Sequence, residues 1–233
     1  LQNNINDLVI KQRDCDPNLH RWKTWEPNTP FAPSIDVSLY SSQVQGDLSC
    51  KIISEIEERG LGYYDGEEWK TYNIFSWDNS WVRSLSEQIW NTYIKYTSSI
   101  EVESYTKDSV WIRGWVVRLD PGQGLKMHSH SLHENTFLSG NISLTDNNTT
   151  TDYWIPLFSL YHGMFRYVNN PGSMVLFPSW LQHSVDENAS GKVRYSVAFD
   201  MFSHHTMDFI RANRNEGEDI QNTILLSKRF SDL

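Results

Sequence analysis

A small set of side chains stands out for what its types and spacing could do. His128 and His130 flank Ser129 at the end of a strand-like run, Leu125–His128. Residues two apart on a strand face the same side, so both imidazoles can reach one centre. His183 comes much later, after Phe177, Pro178 and Trp180, at the start of another strand. Two close ligands joined by a distant one from an adjoining strand make a facial three-ligand metal site. Three protein ligands leave positions open for substrate and O2, as non-haem Fe(II) oxygen chemistry requires. His133 follows in the next loop, and Glu134 beside it is the nearest carboxylate. Arg194 stands eleven residues after His183, and Ser196 shares its strand face. Together they can clamp one carboxylate, Arg194 by a bidentate fork and Ser196 by its hydroxyl. A buried Arg is costly unless an anion or acid partners it. Arg194 therefore implies either an acidic cosubstrate or a structural ion pair with an acid such as Asp186 or Asp200. A His-x-His pair alone is more often ordinary surface or core. The three histidines followed by Arg-x-Ser in a β-rich stretch form a much more specific pattern.

The elements that must position these residues are strands. After residue 108, runs rich in Val, Ile, Trp, Phe and Tyr alternate with turn residues: 110–119, 125–128, 136–144, 153–160, 164–168, 173–177 and 193–202. Turn signals such as Asp120-Pro121-Gly122 and Asn170-Pro171-Gly172 separate them. Seven or eight strands at that spacing predict an antiparallel sandwich or barrel. Ahead of them, Leu48, Ile52, Ile53 and Ile56 fall at helical spacing, with Gly60 as the stop. A second helix is predicted from a cap at Asp78 or Asn79 to about Tyr96, with Trp81, Leu85, Ile89, Tyr93 and Ile94 along one face. Helices followed by strands predict an α+β, mainly β fold with the helices against one face. Residues 1–35 are polar and carry four prolines, which predicts an irregular N-terminal arm or linker. Residues 36–233 then form a single domain. Its helices lie at about 46–97, its β core at about 108–203, and residues 204–233 form a peripheral tail with a short helix near Ile220–Leu226.

Composition narrows the function classes. The 233 residues include ten Trp, eleven Tyr and ten Phe, which argues against disorder. A chain this long buries roughly 70% of its extended surface and needs no disulfide for a core. Cys15 and Cys50 are the only cysteines, too few for a disulfide scaffold. Lys and Arg total 20 against 29 Asp and Glu, a net charge of −9 that discourages general nucleic-acid binding. A local basic pocket for a small anion remains compatible with it. No stretch approaches the roughly 20 apolar residues of a membrane span, and the mean hydropathy of −0.54 agrees. No charged-then-apolar leader follows Leu1, so a cytoplasmic location is expected, and Asn141, Asn147, Asn148 and Asn188 are read as chance matches to the glycosylation pattern.

Several stretches together carry a resemblance. They run from Gly114-Trp115 to His128-Ser129-His130, through Phe137-Leu138-Ser139-Gly140, from Pro171-Gly172 to His183, and over Arg194-Tyr195-Ser196-Val197-Ala198-Phe199-Asp200. Over about residues 110–202 the chain is similar to the Fe(II)/2-oxoglutarate-dependent oxygenases, in particular a branch with His-x-His before a Leu-Ser-Gly strand. The resemblance implies a double-stranded β-helix (jelly-roll) core, with Fe(II) and 2-oxoglutarate as cofactor and cosubstrate. By this likeness His128 is the first metal ligand and His183 the distal one. Arg194, with Ser196, holds the far carboxylate of 2-oxoglutarate. The widespread pattern has His-x-Asp or His-x-Glu, whereas His130 stands here. Either the site is three histidines, or Glu134 or water fills the third position. The activity implied is hydroxylation of a C–H bond, with decarboxylation of 2-oxoglutarate to succinate, on a small-molecule or peptide substrate. Two readings compete: a non-catalytic jelly-roll or cupin-like binder with a structural metal, and an aspartyl/asparaginyl β-hydroxylase type with a two-histidine iron site. Jelly rolls serve both purposes, so fold does not decide between them.

Overall fold

The computed structural model describes residues 16–23, 29–31, 34–44, 47–61, 67–130, 137–156, 163–213 and 218–233. Strands β1 (Leu19–Lys23) and β2 (Asp36–Gln43) precede helices α1 (Leu48–Arg59) and α2 (Ser80–Ser99). Eight strands follow: β3 (Val110–Leu119), β4 (Leu125–His128), β5 (Leu138–Ser143), β6 (Thr150–Trp154), β7 (Met164–Val168), β8 (Ser173–Pro178), β9 (His183–Val185) and β10 (Arg194–Ser203). Helices α3 (His204–Ala212) and α4 (Glu218–Leu226) and the short strand β11 (Lys228–Arg229) end the chain. The strands form two antiparallel sheets, a large one in the order β1-β2-β8-β5-β10-β3-β11 and a small one in the order β4-β9-β6-β7.

The large sheet has two unlike faces, and alternation along its central strands creates both. On β10, Val197, Phe199 and Met201 join Ile142, Leu176, Ile112 and Val116 in the main core. Against that face lie Leu85, Ile89, Tyr93 and Tyr96 of α2 and Ile52 and Ile56 of α1. Each large side chain buried there contributes roughly 1.5–3 kcal/mol. The intervening residues of β10 are Arg194, Ser196, Ala198 and Asp200, and they turn to the small sheet. Beyond the centre the two sheets close on an apolar cluster of Val37, Leu39, Val175 and Phe177 against Tyr153, Ile155 and Leu181.

Two glycines let the helix-side face close. Phe199 is cross-strand neighbour to both Gly114 and Gly140. A Cβ on Gly140 would lie 2.3 Å from the Phe199 ring, and one on Gly114 would lie 2.5 Å from Phe75.

Several sequence expectations need correction. Leu19–Lys23, inside the stretch expected to be irregular, pairs with β2 as an edge strand. It is a five-residue strand at the edge of the sheet, where the nearby Pro17 is tolerated. The run expected at 153–160 starts earlier, at Thr150, and its later half lies outside the described residues. Ile94 is exposed, one residue round the helix from buried Tyr93, and Tyr96 takes its place in the core. The C-terminal stretch is more than peripheral: Met207 and Ile210 of α3 pack on Trp111 and Phe202, and Phe230 enters the main core beside Trp90. Cys50 is a free thiol, while Cys15 lies outside the described residues.

Candidate active site

Cross-strand register assembles the site. His128 on β4 faces His183 on β9, and His183 faces Tyr153 on β6, in one row across the small sheet. His183 reaches that row through a tight turn, in which the Leu181 N–H donates to the Pro178 carbonyl (2.9 Å) and Leu181 anchors in the core. His130 lies just beyond the end of β4, and its backbone N–H donates to the Ser179 carbonyl (2.9 Å). The three rings converge: centroids lie 4.4 Å apart for His128 and His183, 5.0 Å for His130 and His183, and 5.4 Å for His128 and His130. One ligand nitrogen from each lies within 4.8 Å of the others.

The partners of the rings decide which nitrogens are available. His128 Nδ1 faces the Lys126 carbonyl (2.7 Å), His183 Nδ1 the Leu181 carbonyl (3.1 Å), and His130 Nδ1 a carboxylate oxygen of Asp200 (2.7 Å). Each partner is an acceptor, so each Nδ1 carries the proton and each Nε2 keeps its lone pair for a metal. Burial first, and then the other two imidazoles, push His183 down to about 3. Burial likewise lowers His128. Both are therefore neutral, ligand-competent imidazoles at physiological pH. His133 and Glu134 lie outside the described residues. Of the aromatics nearby, Trp115 stands 5.6 Å from the His130 ring and Phe177 4.7 Å from that of His183. Trp180 is largely exposed, and Trp154 lies on the opposite face of β6 from Tyr153.

Arg194 closes the other end of the same face of β10, six residues and about 20 Å from Asp200. It is 2% exposed. Its Nε donates to Thr149 Oγ1 (3.0 Å) and its Nη1 to Ser196 Oγ (3.0 Å), so the guanidinium leans along the strand toward the histidines. Burial lowers it to about 10, which leaves it charged at neutral pH. Among the described residues no carboxylate pairs with it. Asp186 accepts from Thr150 and lies 3.8 Å from Arg166, and Asp200 is held by His130 and Ser139. Between the two ends the floor is small and polar: Ser143 and Asn141 on β5 stand opposite Ser196 and Ala198. Asn141 Nδ2 donates to the Tyr153 hydroxyl (3.0 Å) and joins the sheets. The Ser143 hydroxyl is buried and has no hydrogen-bond partner among the described residues.

The family model described as "Putative 2OG-Fe(II) oxygenase" matches residues 159–200, the segment that carries His183 and Arg194. The chain resembles the 2OG-Fe(II) oxygenases in sequence and in fold. A prolyl-4-hydroxylase from Pseudomonas putida superposes with a TM-score of 0.52 at 12% identity, over 70% of this chain and 84% of that one. The non-haem alpha ketoglutarate dependent epimerase SnoN from nogalamycin biosynthesis gives 0.52 at 9% identity, over 71% and 77%. The non-haem monooxygenase ThoJ, in its nickel complex, gives 0.50 at 11% identity, over 69% and 71%. At these identities the likeness is one of fold. No curated protein matches the chain in sequence. The 2OG-Fe(II) oxygenases use Fe(II) and 2-oxoglutarate, and this donor set suits such an ion: three imidazole nitrogens fixed from behind, beside Trp115 and Phe177.

Sequence reasoning overlooked three contributors. Thr149 and Ser143 line the Arg194 end, and Ser139 supports Asp200. For Ser139 and Ser143 the signal was the alternation of β5, where Ser139, Asn141 and Ser143 share one face while Gly140 and Ile142 take the other; Thr149, just before β6, gave none.

Proposed function

We propose that this chain is a non-haem Fe(II)- and 2-oxoglutarate-dependent dioxygenase that hydroxylates a C–H bond of a small-molecule or peptide substrate, and that its two sheets form a double-stranded β-helix core. His128, His130 and His183 hold the metal. Arg194 and Ser196 bind the distal carboxylate of the cosubstrate. The observation that carries this reading is a polar trough with a three-imidazole cluster at one end and, at the other, a buried Arg with no carboxylate partner among the described residues.

Each residue's contribution follows from its surroundings. The carbonyls of Lys126 and Leu181 hold His128 and His183 in the tautomer that presents Nε2. Thr149 holds the Arg194 guanidinium in place through Nε and leaves other N–H groups to donate to a carboxylate. Ser196 and the unpartnered Ser143 add hydroxyl donors from two neighbouring strands. A dianion there offsets the cost of burying Arg194. Ala198, opposite Asn141 at mid-trough, leaves space for the cosubstrate's carbon chain. Trp115 and Phe177 exclude water around the histidines. The bound iron supplies the redox chemistry that couples oxidative decarboxylation of 2-oxoglutarate to attack on the substrate.

The binder reading needs Arg194 in an ion pair with Asp186 or Asp200, and both carboxylates are engaged elsewhere. The two-histidine reading leaves His130 outside the cluster, whereas its ring lies within 5.4 Å of both others. Conversion of 2-oxoglutarate to succinate by the intact chain with Fe(II) and O2, in the absence of substrate, tests the proposal. Slow succinate formation that needs His183 is expected. A complete lack of turnover in a protein that binds the metal would favour the binder.

A further inference from the structure

Asp200 has no role in the proposal above, yet it stands behind the member of the cluster that departs from the family pattern. Its Oδ1 lies 2.7 Å from His130 Nδ1, with side-chain exposures of 15% and 10%. The Ser139 hydroxyl donates to the same oxygen (2.6 Å) and lies 2.9 Å from the Ser179 hydroxyl. A carboxylate only accepts, and the Ser139 hydroxyl, which is oriented as donor toward both Asp200 and Ser179, shares its one proton between the two, with the charged oxygen the stronger acceptor. The Ser179 carbonyl in turn accepts the His130 backbone N–H. These contacts close a ring from imidazole to carboxylate to two hydroxyls and back to the main chain of His130. Ser139 and Ser179 are both buried, so the ring is shielded from water.

The other two imidazoles are backed differently. Neutral carbonyls of Lys126 and Leu181 stand behind His128 and His183. Asp200 is thus the one anion in direct contact with the cluster among the described residues. Three neutral imidazoles leave both charges of a divalent ion unbalanced, whereas a carboxylate ligand would offset one. A carboxylate bonded to the far nitrogen of a ligand imidazole raises the basicity of that ligand and fixes its tautomer.

We propose that Asp200 is a positioning residue for the metal. In this role the His130–Asp200 pair takes the place of a direct carboxylate ligand: His130 supplies the donor atom and Asp200 the charge. The inference rests on the metal-site reading of His128, His130 and His183, and it assigns Asp200 away from Arg194, the partner considered from sequence.

Calorimetric titration of Ni(II) into the intact metal-free chain tests it, with far-UV circular dichroism to check folding. The wild type should bind one Ni(II), and Asp200→Asn should weaken binding about 10- to 100-fold. Ser139→Ala, which loosens the ring but keeps the charge, should weaken it by less. In a His130→Ala background, Asp200→Asn should have almost no further effect, because the imidazole that transmits it is gone. A wild type that binds no Ni(II) would overturn the metal-site reading itself. Binding by the wild type with unchanged affinity in Asp200→Asn would overturn the proposal for Asp200 alone. So would an equal loss with and without His130. Should Asp200→Asn fail to fold, Ser139→Ala decides, and unchanged affinity there overturns the proposal.

Discussion

The two faces of the large sheet are built from the same strands and do opposite things. On the helix side, Phe199 fits between Gly114 and Gly140 in a core that α1 and α2 close. On the other side, one residue away along each strand, stand Arg194, Ser196, Asp200, Ser139, Asn141 and Ser143, small or polar residues that no apolar core would choose. Among the described residues the Ser143 hydroxyl is left unpartnered there, and the Arg194 guanidinium has no acid partner. The lesson is a division of labour by strand parity. The helix-side face provides the packing that stabilises the sheet, while the trough face carries the groups proposed to bind a ligand.

Substitutions on the two faces should therefore separate stability from ligand binding. Phe199→Ala should cost about 3–5 kcal/mol in denaturant unfolding, since a buried ring leaves a cavity. Nickel or iron affinity of the fraction that remains folded should change little. Gly140→Ala forces a Cβ against the Phe199 ring and should cost about 1–3 kcal/mol. The trough face should behave in the reverse way. Arg194→Met should raise the 2-oxoglutarate requirement about 30-fold or more, corresponding to the loss of roughly 2 kcal/mol of charged hydrogen bonds. It should leave the melting temperature of the ligand-free protein unchanged or higher, because an uncompensated buried charge is removed. A large fall in melting temperature would break the comparison and make Arg194 structural.

A pH series gives a finer test. His183 titrates at about 3 in the folded chain, against about 6.5 when unfolded. Between those values the unfolded chain binds a proton that the folded chain does not. The corresponding stability is fully present above about pH 6.5 and is lost as pH falls toward 3. Thermal melts of the metal-free protein should shift down from neutral pH to about pH 5, and His183→Gln should flatten that slope. The smallest expected effect is that of Ser143→Ala, up to about tenfold on 2-oxoglutarate affinity, with stability unchanged or improved.

Local pattern made part of this legible from sequence. The α1 boundaries followed from its apolar spacing and from Gly60, which adopts the left-handed conformation with φ 65°. β3 and β7 matched their β-branched and aromatic runs, and β4 the run Leu125–His128 that follows the turn at Asp120-Pro121-Gly122. β2 was not read as a strand. As an interior strand of the sheet it is covered on both faces, with Val37 and Leu39 in one cluster and Tyr40 in another, so it lacks a clear alternation. At the site, residue types pointed to His128, His130, His183, Arg194 and Ser196. The partner of each was a tertiary matter. Asp200 is six residues from Arg194 on the same strand face, so a pair between them was conceivable from sequence, yet they lie at opposite ends of the trough. Ser139 and Ser143 were marked only by the alternation of β5, since serines in strands are common and register shows where they point.

Anaerobic titration of Fe(II) and 2-oxoglutarate into the intact chain tests the central claim most directly. A weak visible charge-transfer band is expected in the wild type. It should be lost in His183→Ala and should need far more 2-oxoglutarate in Arg194→Ala. No metal binding by the intact protein, or a band whose 2-oxoglutarate dependence ignores Arg194, would contradict the account.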